Sequence, residues 1–188
     1  MDYEQIQSFI PLIRGTTCEL AALLALHSLR LSELVDLKRK DIIISKDGNA
    51  TINVSGARVL DFNNKLVEKD TNKTYASKRE IPVVIPRLLE IIPEIGSDEY
   101  IVQLSPQAIG KQINKICKAN NLPPVSVHGL RRSFASLGYH LGWPELRTMS
   151  FGGWTNMSTV HDHYLRESQK DIDQHSEKMR DFYKNIQS

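Results

Sequence analysis

The apolar positions of the chain change period twice. Ile6, Phe9, Ile10 and Ile13 recur at steps of three and four, which predicts a helix from Tyr3 to Ile13. Leu20-Ala21-Ala22-Leu23-Leu24-Ala25-Leu26 predicts a second helix, reaching about Leu29, with Thr16 or Thr17 as its cap. Ser32 reads as the N-cap of a short helix from Glu33 to Lys38, with an acid in its first turn and bases in its last. The period then drops towards two. Ile42-Ile43-Ile44 and Thr51-Ile52-Asn53-Val54 flank Asp47-Gly48, a hairpin signal, and further strands are expected at Val59 to Phe62 and Arg79 to Ile85.

Helical spacing returns after Pro86 and after Ser105-Pro106, a cap followed by proline at the first helical position, with the second of these helices running to about Ala119. Pro123-Pro124 break the chain. Ser126 caps a helix that runs to about Leu141 and ends at Gly142; Pro144 opens a short one; Gly152-Gly153 marks a turn. A further short helix is expected from Ser158 to Leu165. The stretch from Arg166 to Ser188 is polar, with apolar residues at Ile172, Met179, Phe182 and Ile186, and reads as a loosely amphipathic helix. The fold class expected is mainly α with a small antiparallel β-sheet (α+β). Residues 1–166 read as one catalytic domain and 167–188 as a helical tail.

Composition narrows this only slightly. A chain of 188 residues with 40% hydrophobic and 24% charged residues can form one globular domain with a full core. Its longest apolar run is too short to cross a bilayer, and the acidic, polar start is unlike a signal peptide, so no membrane partner is expected. Cys18 and Cys117 lie far apart with no zinc spacing and read as reduced, half-buried thiols. The net charge of +2 permits nucleic-acid binding without arguing for it. The clusters Lys38-Arg39-Lys40, Lys73 with Lys78-Arg79, and Arg131-Arg132 are more suggestive, although charge runs are commonly solvated faces.

Four segments hold residues suited to chemistry. Arg30 lies in Leu29-Arg30-Leu31-Ser32-Glu33-Leu34, and Lys73 precedes the strand that begins at Arg79. Alone, each reads as a surface cation. His128 and Arg131 are three apart and share a helix face near the cap Ser126, where unpaired backbone N–H groups favour an anion. Trp154 and Tyr164 could be packing aromatics.

Taken in order, these segments resemble the tyrosine recombinase (phage integrase) family from about Thr16 to Arg166. Arg30 matches the arginine of the Leu-Arg-x-Ser-Glu-Leu motif, and Lys73 the hairpin lysine within a Lys-Thr-x-x-Ser-x-Arg-x-Ile-Pro run. His128 and Arg131 match His-x-x-Arg. Trp154 replaces the commoner histidine, and Tyr164 follows it by ten residues.

The resemblance implies a site-specific recombinase acting on double-stranded DNA. Tyr164 would be the nucleophile, Arg30 and Arg131 the phosphate clamps, Lys73 the general acid, His128 the acid/base, Trp154 a donor to a phosphate oxygen, and Glu33 an orienting group. It implies no cofactor and no metal; His161, His163 and His175 complete no metal-ligand spacing. It further implies assembly as a tetramer on DNA, a location in the cytoplasm of a bacterium or a phage-infected cell, and an N-terminal DNA-gripping domain, for which nothing before Thr16 is long enough. A type IB topoisomerase is the rival within the same chemistry. A non-catalytic DNA-binding helical module is the rival outside it: a buried Tyr164 far from His128 and Arg131 would favour that module, and an exposed one beside them would count against it.

Overall fold

A computed structural model describes residues 1–69, 78–170 and 172–186. Nine helices and five strands occur among these residues: α1 (Tyr3–Ile13), α2 (Glu19–Leu26), α3 (Leu31–Leu34), β1 (Ile42–Ile44), β2 (Ala50–Val54), β3 (Arg58–Leu60), β4 (Leu66–Glu68), β5 (Arg79–Pro82), α4 (Pro86–Ile91), α5 (Pro106–Ala119), α6 (Val127–His140), α7 (Glu145–Gly152), α8 (Met157–Lys170) and α9 (Ile172–Ile186). The architecture is the expected one, helical with small antiparallel sheets.

The helix α2 is buried on every side from Ala21 to Leu26, as its unbroken apolar run requires. It packs against α6, and α6 in turn meets α1, α5, α7 and α8. The main core joins Phe9 and Ile13 of α1, Leu23 and Leu24 of α2, Ile109 and Ile113 of α5 and Leu130 of α6 with Ile52 and Ile81 of the sheet. That sheet has the order β1-β2-β5, all antiparallel, with Ile42 opposite Ile52 and Ile52 opposite Ile81. Strands β3 and β4 form a separate hairpin. A second, aromatic cluster lies under α7 and α8, where Phe134 stacks on Phe151 at 4.9 Å and meets Trp143 edge-on at 5.7 Å.

Several boundaries differ from the sequence reading. Helix α2 starts at Glu19 behind Cys18, not at a threonine cap, because the Thr16 hydroxyl donates instead to the carbonyl of Ile13 at 2.6 Å. Helix α3 starts two residues earlier than expected, because Glu33 reaches back to accept the backbone N–H of Arg30 at 2.8 Å, and it ends at Leu34; Arg30, not Ser32, holds the cap position. Strand β4 was not anticipated, and β5 stops at Pro82. Helix α8 continues past Leu165 to Lys170, and α9 follows as a separate helix. Cys18 and Cys117 are fully buried free thiols, not half-buried ones. Ser126 does cap α6, accepting from the N–H of Gly129 at 3.0 Å.

Candidate active site

The site is built on two chain reversals that face each other. One is the α2–α3 junction, His27 to Arg30. The other is the end of α7, Phe151 to Trp154. Four backbone carbonyls from these turns accept hydrogen bonds from three arginines. Arg131 Nε donates to Ser28 O at 2.8 Å and its Nη2 to Gly152 O at 2.7 Å. Arg30 Nη2 donates to Gly153 O at 2.6 Å, and Arg79 Nε to Phe151 O at 3.3 Å.

Local backbone conformation makes this possible. Ser28 sits at φ 82°, a left-handed geometry that a non-glycine residue adopts at a cost of about 1–2 kcal/mol, and it turns its carbonyl towards Arg131. Gly153 is left-handed at φ 62°, where glycine carries no such penalty. The aromatic cluster holds the second turn in place through Phe151 and Trp154.

Glu33 is the anionic hub. Its side chain is 4% exposed and accepts from Arg30 Nη1 at 2.6 Å and from Arg79 Nη1 and Nη2 at 3.1 and 3.0 Å. Burial works to raise its pKa, but the Arg79 hydrogen bonds and charge, followed by Arg30, outweigh it and bring the carboxyl down to about 2. Arg131 is only 3% exposed, and its guanidinium lies 4.7 Å from the centre of the Trp154 ring. Burial, then repulsion from Arg30 and Arg79 against attraction by Glu33, pushes it down to about 10, so it stays a cation at neutral pH. The Arg30 side chain remains 34% exposed and faces solvent.

His128 stands on the first turn of α6 with its side chain exposed. The part of its ring withdrawn from water, and then the charges of Arg131, Arg132 and Arg30, hold the imidazole below its ordinary value. It is therefore mainly neutral at pH 7 and able to accept a proton.

Tyr164 is placed elsewhere. Its hydroxyl donates to the carbonyl of Trp143 at 2.9 Å and shares a hydrogen bond of 2.7 Å with Thr148. It lies against the backbone of Gly138, where a Cβ would come within 3.2 Å of it. Gly138 is seven residues beyond Arg131 on α6, which is about 10 Å along the axis at the helical rise. Burial, partly offset by Thr148 and reinforced by Glu145, raises the phenol above its ordinary pKa.

The structure thus brings Arg30, Glu33, Arg131 and Trp154 together, sets His128 within their electrostatic reach, and holds the Tyr164 hydroxyl apart. Lys73 lies outside the described residues. His161 faces Glu145 at 3.2 Å, whereas His163 accepts from Arg132 Nε at 2.9 Å, so the two imidazoles serve different helices. No group of three potential metal ligands occurs among the described residues, and no helix there is long and apolar enough to cross a membrane.

Sequence reasoning gave Arg79 no role of its own beyond its place in the Lys-Thr-x-x-Ser-x-Arg-x-Ile-Pro run, and it passed over Ser28 and Thr148. The signal for Arg79 was its parity with buried Ile81 on β5, which puts both on the inward face. Nothing local marked the other two.

Comparison with known proteins bears on the family and the fold. The profile of the phage integrase family matches residues 2–171. Among solved structures, the Tn1549 transposon integrase bound to transposon right-end DNA superposes with a TM-score of 0.72 at 19% identity, covering 93% of this chain and 65% of that one. The XerA recombinase gives 0.66 at 16% identity, covering 93% and 62%. The XerH site-specific recombinase bound to palindromic difH substrate gives 0.63 at 17%, covering 94% and 52%. This chain thus spans slightly less than two thirds of the Tn1549 integrase chain. A search of curated protein sequences gives no match. With a family profile spanning nearly its whole length and that family's fold, the chain belongs to the phage integrase family.

Proposed function

We propose that this chain is the catalytic domain of a site-specific DNA recombinase that cleaves and rejoins strands through a 3′-phosphotyrosyl bond. The observation that carries this reading is the convergence of Arg30 and Arg131 on the adjacent carbonyls of Gly153 and Gly152. Two guanidiniums fixed side by side, one open to solvent, suit the two non-bridging oxygens of a phosphodiester, whose charge grows in the transition state.

In the proposed step the Tyr164 oxygen attacks phosphorus and the P–O5′ bond breaks. The phenolic proton passes to neutral His128, directly or through water, and Lys73 protonates the departing 5′-oxygen. Trp154 donates its indole N–H to a phosphate oxygen. Glu33 orients Arg30. The phosphotyrosyl bond keeps the energy of the phosphodiester, so a 5′-hydroxyl can reverse the step on another strand. We further place the enzyme, bacterial or phage-encoded, in the cytoplasm, acting as a tetramer on double-stranded DNA.

One observation favours a second reading. Tyr164 is half-buried, with its hydroxyl occupied, as in a DNA-binding module that performs no chemistry. A nicked half-site duplex separates the two. The recombinase reading expects a protein–DNA adduct that survives denaturant with wild type and is missing with Tyr164→Phe. Equal adduct with both, or none with wild type that binds the duplex, contradicts it.

A further inference from the structure

We infer that Arg79 is a positioning residue of the strand-cleavage site: it occupies the Glu33 carboxylate so that Arg30 keeps its charge for the phosphate. This rests on the reading above and deepens it.

The geometry is specific. Arg79 places a two-pronged fork on both oxygens of Glu33, at 3.1 and 3.0 Å, while Arg30 takes one oxygen with a single Nη1. Its third contact, Nε to the Phe151 carbonyl, ties the same guanidinium to the turn whose next two carbonyls hold Arg131 and Arg30. The guanidinium lies flat on Gly153, within 2.9 Å of where a Cβ would stand. All three guanidinium nitrogens of Arg79 already donate within the protein, so it is not itself presented to DNA. It begins β5, which is paired to β2 and fixed by Ile81 in the core.

Charge accounting explains why a second arginine is needed. Without Arg79 the buried Glu33 carboxylate would keep only the backbone N–H of Arg30, and the Arg30 guanidinium would be drawn into a closed fork with it. Its positive charge would be neutralised and its Nη2 taken from the Gly153 carbonyl. With Arg79 present, the triad Arg30–Glu33–Arg79 carries a net positive charge, and Arg30 is the solvent-facing end of it.

The test compares two nicked half-sites, one with an ordinary scissile phosphodiester and one with a methylphosphonate there. The methylphosphonate lacks one negative charge and so needs less cationic stabilisation. Wild type should trap on the phosphodiester. Arg79→Met should trap about 30-fold more slowly on it, in the range seen when one transition-state donor is lost. The same variant should come within about threefold of wild type on the methylphosphonate, where that stabilisation matters less. Adding Glu33→Gln to Arg79→Met should restore part of the phosphodiester rate, because the competing carboxylate is then gone. Arg79→Lys keeps the charge without the fork and should show a smaller deficit with the same substrate dependence; it decides the matter if Arg79→Met does not fold. A wild-type rate in Arg79→Met, or an equal deficit on both substrates with no recovery on adding Glu33→Gln, overturns the inference and leaves Arg79 a packing residue. Wild type that fails to trap on the phosphodiester overturns the strand-cleavage reading itself, and with it the inference.

Discussion

The hydroxyl of Tyr164 donates its proton to the main-chain carbonyl of Trp143 at 2.9 Å. This contact, with the Thr148 hydroxyl at 2.7 Å on the other side, stores the proposed nucleophile in a pocket between α6 and α7. A phenol there is held above its ordinary pKa, by burial first. On our reading it must leave this pocket before it attacks, so the pocket sets part of the barrier. Thr148→Val removes one hydrogen bond without changing the volume much. It should speed covalent trapping about fivefold, as expected for a bond worth about 1 kcal/mol. Gly138→Ala should act in the same direction, because its Cβ would lie 2.8 Å from Thr148 Oγ1 and 3.2 Å from the Tyr164 oxygen. Single-turnover rates on a nicked half-site measure both; slower trapping with intact folding contradicts the storage role.

Gly153 should tolerate no side chain. Its φ of 62° and the Arg79 guanidinium 2.9 Å from a Cβ position act together. Gly153→Ala should lower unfolding free energy by about 1–2 kcal/mol from backbone strain alone. It should also cut cleavage more than DNA binding, since the carbonyl that holds Arg30 moves with it. Denaturant titration and the half-site assay check the two effects separately.

Arg131 should separate cleavage from binding. It is buried and hydrogen-bonded to two carbonyls, so Arg131→Ala should cost about 2–3 kcal/mol of stability from the partners left unpaired. At a temperature where the variant stays folded, cleavage should fall by about 100-fold or more, the scale of losing a preorganised donor. Half-site affinity should fall far less, because other cations still meet the backbone. Arg131→Lys should recover little, having no planar fork. Equal losses of binding and cleavage would recast Arg131 as a DNA anchor.

His27 should make the fold acid-sensitive. It is fully buried, and its Nε2 accepts the N–H of Val84 at 3.0 Å, which requires a neutral ring. Burial, opposed by nearby carbonyls and aided by Arg79, lowers its pKa from 6.5 to about 4. The unfolded chain then takes up a proton that the folded chain refuses between those values, so stability is complete above pH 6.5 and falls as pH drops towards 4. The loss should reach about 3 kcal/mol at the acid end of that window. Urea unfolding from pH 7 to pH 4 measures it, and His27→Gln should flatten the profile. An unchanged slope in that variant would place the sensitivity elsewhere.

The helical frame was readable wherever the sequence punctuates itself. Ser126 and Gly142 bracket α6, Ser105-Pro106 opens α5, and Asp47-Gly48 turns β1 into β2, because each signal is a local backbone preference. Helix α3 was misread because Ser32 has the chemistry of a cap, while the actual start depends on Glu33 folding back onto the Arg30 N–H. The arginines of the recombinase pattern were legible as a pattern; what fixes them was not. The carbonyls of Ser28, Gly152 and Gly153 come from segments far apart in the chain, and carbonyls have no sequence signature. Arg79 looked like half of a solvated Lys-Arg pair until Glu33 was brought to it from another element. The storage of Tyr164 against Trp143 and Thr148 is likewise tertiary, since it needs α6, α7 and α8 in place.

The central claim is the identity of the attacking atom. Wild-type protein trapped on a nicked half-site can be digested, and the peptide that retains the nucleotide identified by mass spectrometry. The account predicts a nucleotide 3′-phosphate esterified to the phenol of Tyr164. The same remnant on Tyr139, Tyr183 or any residue other than Tyr164 would contradict it.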